Sequence, residues 1–172
     1  MEQQRQTLRE AQQEQAHQEE GFMESVLIVD PDVAVHEQLE EMLQGLFALR
    51  HARTAAEAWD AIGRQRPNLI ISEVDLPDRS GLELCEWVRA NTATVRIPLL
   101  LLTTRSEIDD KVSGFLAGAD DYVVKPIDPR FFSARIRLLF RLKALEQKSS
   151  PGTTPPPSPG SQVPRQERFS KD

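Results

Sequence analysis

Residues Pro67–Gly81 read PNLIISEVDLPDRSG. The unbroken apolar run Leu69-Ile70-Ile71 predicts a strand buried on both faces. The run ends at an acid, Glu73; Leu76-Pro77, a short polar turn and Gly81 then lead into a helical pattern. A carboxylate at the C-terminal end of a buried strand is where open α/β sheets place their chemistry. Taken alone, the stretch also fits an ordinary strand capped by a solvated acid. The other strand ends decide between the two.

Working outward, the same pattern recurs. Val26-Leu27-Ile28-Val29 is a short apolar run ending at Asp30, and Asp32 is placed to cap a helix with the apolar face Val35, Leu39, Met42, Leu43 and Leu46. Phe47–His51 predicts a weaker strand. Thr54 and Glu57 have the spacing of a capping box opening a helix through Ala58, Trp59 and Ile62. After the central strand, a helix is predicted from Gly81 to about Asn91. Ile97–Leu102 follows as an all-apolar strand, then a helix capped by Ser106 and stopped by Gly118. Tyr122-Val123-Val124 is a fifth strand. Asp128 caps a last helix through Phe132, Ile136, Leu139 and Leu142 to about Gln147. Five strands alternating with five helices predict an α/β fold: a doubly wound five-stranded parallel sheet of order 2-1-3-4-5.

The flanks differ from this core. Residues 1–23 form a polar Gln/Glu-rich extension, 24–147 the domain, and 148–172 a tail rich in Pro, Ser, Gly and Thr. That tail cannot bury enough surface to offset its ordering entropy, so it is expected to be disordered. The 172 residues are 39% hydrophobic with a formal charge of −6, which lacks the basic excess of a nucleic-acid surface. No run is long enough for a membrane span, and the N-terminus has no signal-peptide apolar core. A cytoplasmic protein is the expectation. The single cysteine, Cys85, excludes an internal disulfide and falls within an apolar helical pattern, as a buried structural thiol would.

At its C-terminal edge the predicted sheet collects Asp30, Pro31 and Asp32 from the first strand, Glu73 from the third, Thr103 and Thr104 from the fourth, and Lys125-Pro126 from the fifth. Carboxylates, a hydroxyl and an amine at a switch point are the groups that hold Mg²⁺ and a phosphoryl group. With IPLLLLTTRSEIDDKVSGFLAGADDYVVKPIDPRFFSARIRLL (97–139), and with Pro77 and Gly81 following Glu73, the chain closely resembles the receiver domain of bacterial two-component response regulators. The resemblance covers roughly residues 24–146. It implies a flavodoxin-like receiver fold, with Thr103 as the switch hydroxyl, Tyr122 as the switch aromatic and Lys125 as the phosphate-binding lysine.

Two positions depart from the family, both at the chemistry. Glu73 stands where the family has its phosphoacceptor aspartate, and Pro31 stands where it has a second acid that binds magnesium directly. Asp30 and Asp32 remain as an acidic pocket, although Asp32 lies one position late and is better placed to cap the helix. Glu73 is longer than aspartate by about 1.5 Å, so its carboxylate should reach into the phosphoryl space and meet Lys125 and Thr103. Displaced this far it is a poor nucleophile for in-line transfer. No metal ligand set and no cofactor is therefore expected, Mg²⁺ binding being weak or absent. A glutamate carries one charge where a phosphoryl group carries nearly two, so any mimicry is incomplete.

These features predict a pseudo-receiver without enzymatic activity, serving as a phosphorylation-independent protein–protein interaction module in bacterial signalling. The alternative is a stand-alone response regulator that is phosphorylated through atypical metal and acceptor residues. Too little sequence follows residue 148 for a DNA-reading or enzymatic output domain, which puts the expected output on the surface and tails. In the DNA-binding branch of the family, the face made by the fourth helix, fifth strand and fifth helix pairs two receivers. The resemblance places Asp121 and Arg135 at one cross-subunit ion pair and Arg141 on the same surface. A signalling protein and a second copy of the chain are the expected partners, without nucleic acid or membrane.

Overall fold

The computed structural model describes residues 23–149. The 1–23 extension and the 148–172 tail lie outside those residues except at their inner edges. In chain order the elements are β1 (Ser25–Val29), α1 (Val33–Leu43), β2 (Ala48–Ala52), α2 (Ala55–Arg64), β3 (Leu69–Ser72), α3 (Gly81–Ala90), β4 (Leu99–Thr103), α4 (Ile108–Leu116), β5 (Asp121–Val124) and α5 (Pro129–Ser149). All strands pair in parallel and the sheet order is β2-β1-β3-β4-β5, as the apolar runs predict. α5 continues through Ser149, two residues past the predicted boundary at Gln147.

The double cover follows from strand alternation. Leu27, Val29, Ile70, Leu99 and Leu101 face α2 and α3, packing on Ala58, Ile62, Leu84, Cys85 and Val88. Their neighbours Val26, Ile28, Leu69, Ile71, Leu100 and Leu102 face α1 and α5, packing on Val35, Leu39, Leu43, Phe132, Ile136 and Leu139. Each large side chain buried this way contributes about 1.5–3 kcal/mol. Burial also pushes the Cys85 thiol up to about 11, which keeps it protonated and unreactive.

Several local expectations change. Leu46 is exposed, because α1 ends at Leu43 and Gly45 turns the chain at φ 76°, taking Leu46 off the helical stripe. Thr54 accepts from the Glu57 N–H as a cap should, but Glu57 accepts from the Arg53 N–H, so the box closes one residue early. A complete capping box forms instead at Ser80 and Glu83, opening α3. Ser106 does not cap α4; Glu107 occupies the cap position without a side-chain bond. Gly118 ends α4 as predicted, with φ 104°. Of the α4 residues only Gly114 is buried, and Ile108, Val112, Phe115 and Leu116 stand exposed.

Candidate functional site

The switch point between β1 and β3 holds a closed ionic triad. Lys125, arriving at the end of β5 on a cis peptide bond to Pro126, points its ammonium between two buried acids. Its Nζ donates to Asp30 Oδ2 and to Glu73 Oε2, both at 2.7 Å. Relative exposures are 16% for the Lys125 side chain, 3% for Asp30 and 7% for Glu73, so water screens these contacts little. Burial works against the Lys125 charge, but its bonds to Asp30 and Glu73 outweigh this and raise the ammonium above its ordinary value.

The remaining acceptor sites are also filled. Asp30 Oδ1 accepts from the Asp32 N–H at 2.8 Å. Glu73 Oε1 accepts from the N–H groups of Val74, at 2.6 Å, and Asp75, at 3.2 Å. The extra methylene thus lets the carboxylate fold back onto its own backbone while its other oxygen reaches Lys125. It meets Lys125 as expected but not Thr103, whose buried hydroxyl accepts from the Arg105 N–H at 3.3 Å. Asp32 is exposed and accepts from the Ala34 N–H, capping α1, so of the predicted acidic pocket only Asp30 lines the triad. Pro31 supplies no side-chain donor atom. Among the described residues, no group of three or more His, Cys, Asp or Glu side chains is placed to hold a metal ion.

Gly81 shows why the motif after β3 needs a glycine. A Cβ at this position would overlap the Glu73 carbonyl oxygen and crowd Val74, so any side chain would force the backbone that carries Glu73 to shift. The Gly81 N–H also donates to the Val74 carbonyl, fixing the loop that carries Glu73.

A second bridge joins two neighbouring loops and has no local sequence signal. Arg105 grips Asp75 with two bonds, Nε to Oδ2 at 2.9 Å and Nη2 to Oδ1 at 2.6 Å, tying the β4–α4 loop to the β3–α3 loop. Arg105 holds the Asp75 carboxyl below the usual carboxylate range. Tyr122 is buried and its hydroxyl donates to the Arg105 carbonyl at 2.9 Å. Its ring packs so closely on α4 that a Cβ at Gly114 would crowd it.

At the α4–β5–α5 face, Asp121 and Arg135 come together within one chain: Arg135 Nη1 donates to both Asp121 oxygens, at 2.6 and 2.7 Å. The single chain therefore closes the pair that the resemblance places across subunits, because both groups project from adjacent positions on β5 and α5. Arg141 is exposed on α5. No helix of the described residues is long and apolar enough to cross a membrane.

The response regulator receiver domain family matches residues 26–137 of the chain. Curated relatives include the transcriptional regulatory protein GltR of Pseudomonas aeruginosa, 38% identical over 68% of this chain and 49% of its own length. The phosphate regulon transcriptional regulatory protein PhoB of the same organism is 34% identical over 77% of this chain and 56% of its own length. The chain thus spans about half the length of these relatives. Among solved structures, a CheY-like response regulator receiver domain protein from Methanospirillum hungatei superimposes with TM-score 0.67 at 28% identity, covering 73% of this chain and 99% of that one. Vibrio cholerae chemotaxis response regulator CheY4 gives TM-score 0.65 at 28% identity, covering 69% and 99%. The family match, the fold and the identity to curated regulators agree: this chain belongs to the response regulator receiver domain family.

Proposed function

We propose that this receiver domain is a pseudo-receiver, a signalling interaction module whose output does not depend on phosphoryl transfer. The supporting observation is the triad: Lys125 is held between Asp30 and Glu73, and every carboxylate oxygen of the pair already accepts a hydrogen bond. A phosphoryl group needs an unhindered carboxylate oxygen and an available lysine, and both are committed to each other here. Mg²⁺ does not fit this donor set. Asp30 and Glu73 are each bonded to the ammonium, Pro31 adds nothing, and a divalent cation would have to displace Lys125 from a buried position. The module is then a non-enzymatic, cytoplasmic partner of another signalling protein.

The test is direct. Full-length chain incubated with acetyl phosphate and Mg²⁺, then weighed intact, should gain no phosphoryl mass, about 80 Da for the group. Mg²⁺-dependent labelling would instead establish the alternative, a phosphorylatable response regulator with atypical site residues.

The partner surface we assign is the α4–β5–α5 face, with a second copy of the chain as occupant. Ile108, Val112, Phe115 and Leu116 of α4 and Phe131, Leu138 and Leu142 of α5 are exposed large apolar side chains. Glu107 at the cap of α4, Asp109 on α4 and Arg137 and Arg141 on α5 are exposed, so the surface carries both signs of charge and can complement itself about a two-fold axis. Sedimentation at micromolar concentration should show a dimer for the wild type and a monomer for Phe115→Asp. A Phe115→Asp variant that stayed dimeric would remove this face from the assignment.

A further inference from the structure

His36, buried on α1, and His51, on β2, meet with their Nδ1 atoms 2.6 Å apart. The outer nitrogen of each ring is also engaged. His36 Nε2 lies 2.6 Å from the Asp30 carbonyl oxygen, and His51 Nε2 lies 2.8 Å from Glu40 Oε1. A carbonyl oxygen and a carboxylate only accept, so both Nε2 atoms must carry hydrogen. Both tautomers are thereby fixed, and two neutral rings would face each other with bare Nδ1 lone pairs at contact distance. Three bonds need three N–H protons on two rings, one more than two neutral imidazoles possess.

We propose that His36 and His51 form one proton-binding site, with a single proton held between the two Nδ1 atoms of an imidazole–imidazolium pair. The bound proton joins α1 to β2 and, through the Asp30 carbonyl, to the backbone of the acid pocket. The site stands whether or not that pocket accepts phosphate. A metal ion suits the geometry less well. Two nitrogens bound at about 2.0–2.1 Å to one tetrahedral ion lie well over 3 Å apart, whereas 2.6 Å suits a charged N–H···N bond.

The surroundings favour one proton and no more. From α1 the pair faces Glu40 and Glu37, and from the loop after β2 it faces Arg53, all around the same surface cavity. Arg50, also on β2, is turned away to the Ala61 and Gln65 carbonyls. The Asp30 carboxylate is occupied by Lys125, and Lys143 of α5 donates to the Asn68 carbonyl. A second proton would put N–H groups on both Nδ1 atoms, facing each other. Burial first, and then the charge of His36, push the His51 imidazole below its ordinary value, with Glu40 opposing them.

The linkage has two signs. The first proton binds the folded pair more tightly than the unfolded chain, so its stabilisation is complete at low pH and is lost as pH rises through the upper step. The second binds the folded pair less tightly, so stability falls as pH drops through the lower step. Stability attributable to the pair should therefore peak between the two steps.

Imidazole nitrogen NMR of the full chain from pH 4 to 9 tests this, with His17→Gln removing the third histidine. Both rings should respond together in two steps separated by more than about one pH unit, with both Nε2 atoms protonated between the steps. Independent titration of each ring near the ordinary value of about 6.5 would overturn the proposal. So would a shift of both rings by one equivalent of Zn²⁺ that abolishes the two-step behaviour, since the site would then be a metal site. Glu40→Gln changes a half-exposed residue and should leave the fold intact. It should move the upper step down; an upper step that does not move would refute the three-bond arrangement.

Discussion

Lys125→Met should destabilise the domain by about 3–5 kcal/mol, the usual cost of removing one partner from a buried ion pair. Here two acids lose their shared cation at once. Asp30 and Glu73 are 2% and 5% exposed and would be left as adjacent carboxylates with no counter-charge. Methionine keeps most of the lysine volume, so the loss is electrostatic rather than a cavity effect. Glu73→Ala is the informative contrast. Lys125 would keep its 2.7 Å bond to Asp30, and the main loss would be the acceptor for the Val74 and Asp75 N–H groups. That predicts a smaller cost, about 1–3 kcal/mol. Urea unfolding of the three proteins at neutral pH gives the order. A Lys125→Met loss below about 1 kcal/mol, the value for exposed pairs, would show that the triad is not a buried ionic cluster. The pH dependence has a definite sign. Lys125 is raised in the folded state, so its stabilisation is complete below the unfolded lysine value of about 10.4 and is lost as pH rises through the folded value. On the alkaline side, the wild type should therefore lose part of its advantage over Lys125→Met as pH rises through that folded value.

The strands were legible because parallel strands covered on both faces are spelled as continuous apolar runs. Val26–Val29, Leu69–Ile71 and Leu99–Leu102 are each buried throughout. Helix ends were less so, because their signals compete with tertiary bonds. Ser106 has the residue type of a cap, but the β4–α4 loop is held by Arg105, whose side chain reaches Asp75 and whose carbonyl receives the Tyr122 hydroxyl. At the site, Asp30, Glu73 and Lys125 could be brought together from sequence because topology alone puts three strand ends at one switch point. The Asp75–Arg105 bridge spans 30 residues and the His36–His51 contact 15, and neither belongs to a strand-end pattern or a helical spacing. His36 also falls beside the apolar stripe of α1, where it reads as a polar flank rather than as a buried ring. The way Glu73 uses its length was equally hidden. Composition gives its reach, but the backbone N–H groups that turn Oε1 inward belong to a loop shaped by the close approach of Gly81.

Phosphorylation should be recoverable, but only through Pro31→Asp and Glu73→Asp together. Glu73→Asp alone shortens the side chain by about 1.5 Å, which withdraws the carboxylate from its back-folded position and frees it from the Val74 and Asp75 N–H groups. Lys125 then keeps Asp30 as partner, and the donor missing at Pro31 is still missing. Pro31→Asp alone supplies a carboxylate beside Asp30, while Glu73 stays clamped to Lys125 and its own backbone. The new acid is structurally tolerable. Pro31 is exposed and lies two residues before α1, where its ring only fixes φ. Charge count and acceptor length together explain why the changes must be combined. The wild-type pocket sets two acids against one ammonium; Pro31→Asp sets three against one, and only with Glu73→Asp is one of the three short enough to act as acceptor. A net excess of two negative charges around the pocket favours a divalent cation, and such a cation is what stabilises charge on a transferring phosphoryl group. In intact-mass measurements with acetyl phosphate and Mg²⁺, the double variant should gain about 80 Da, lost on adding a chelator with the donor. Both single variants should gain little or nothing. A folded double variant that stays unlabelled would mean that a third feature, with the Asp75–Arg105 bridge between the β3–α3 and β4–α4 loops as the first candidate, also blocks the site. Adding Arg105→Ala to the double variant would then separate an obstructed pocket from an incompetent one.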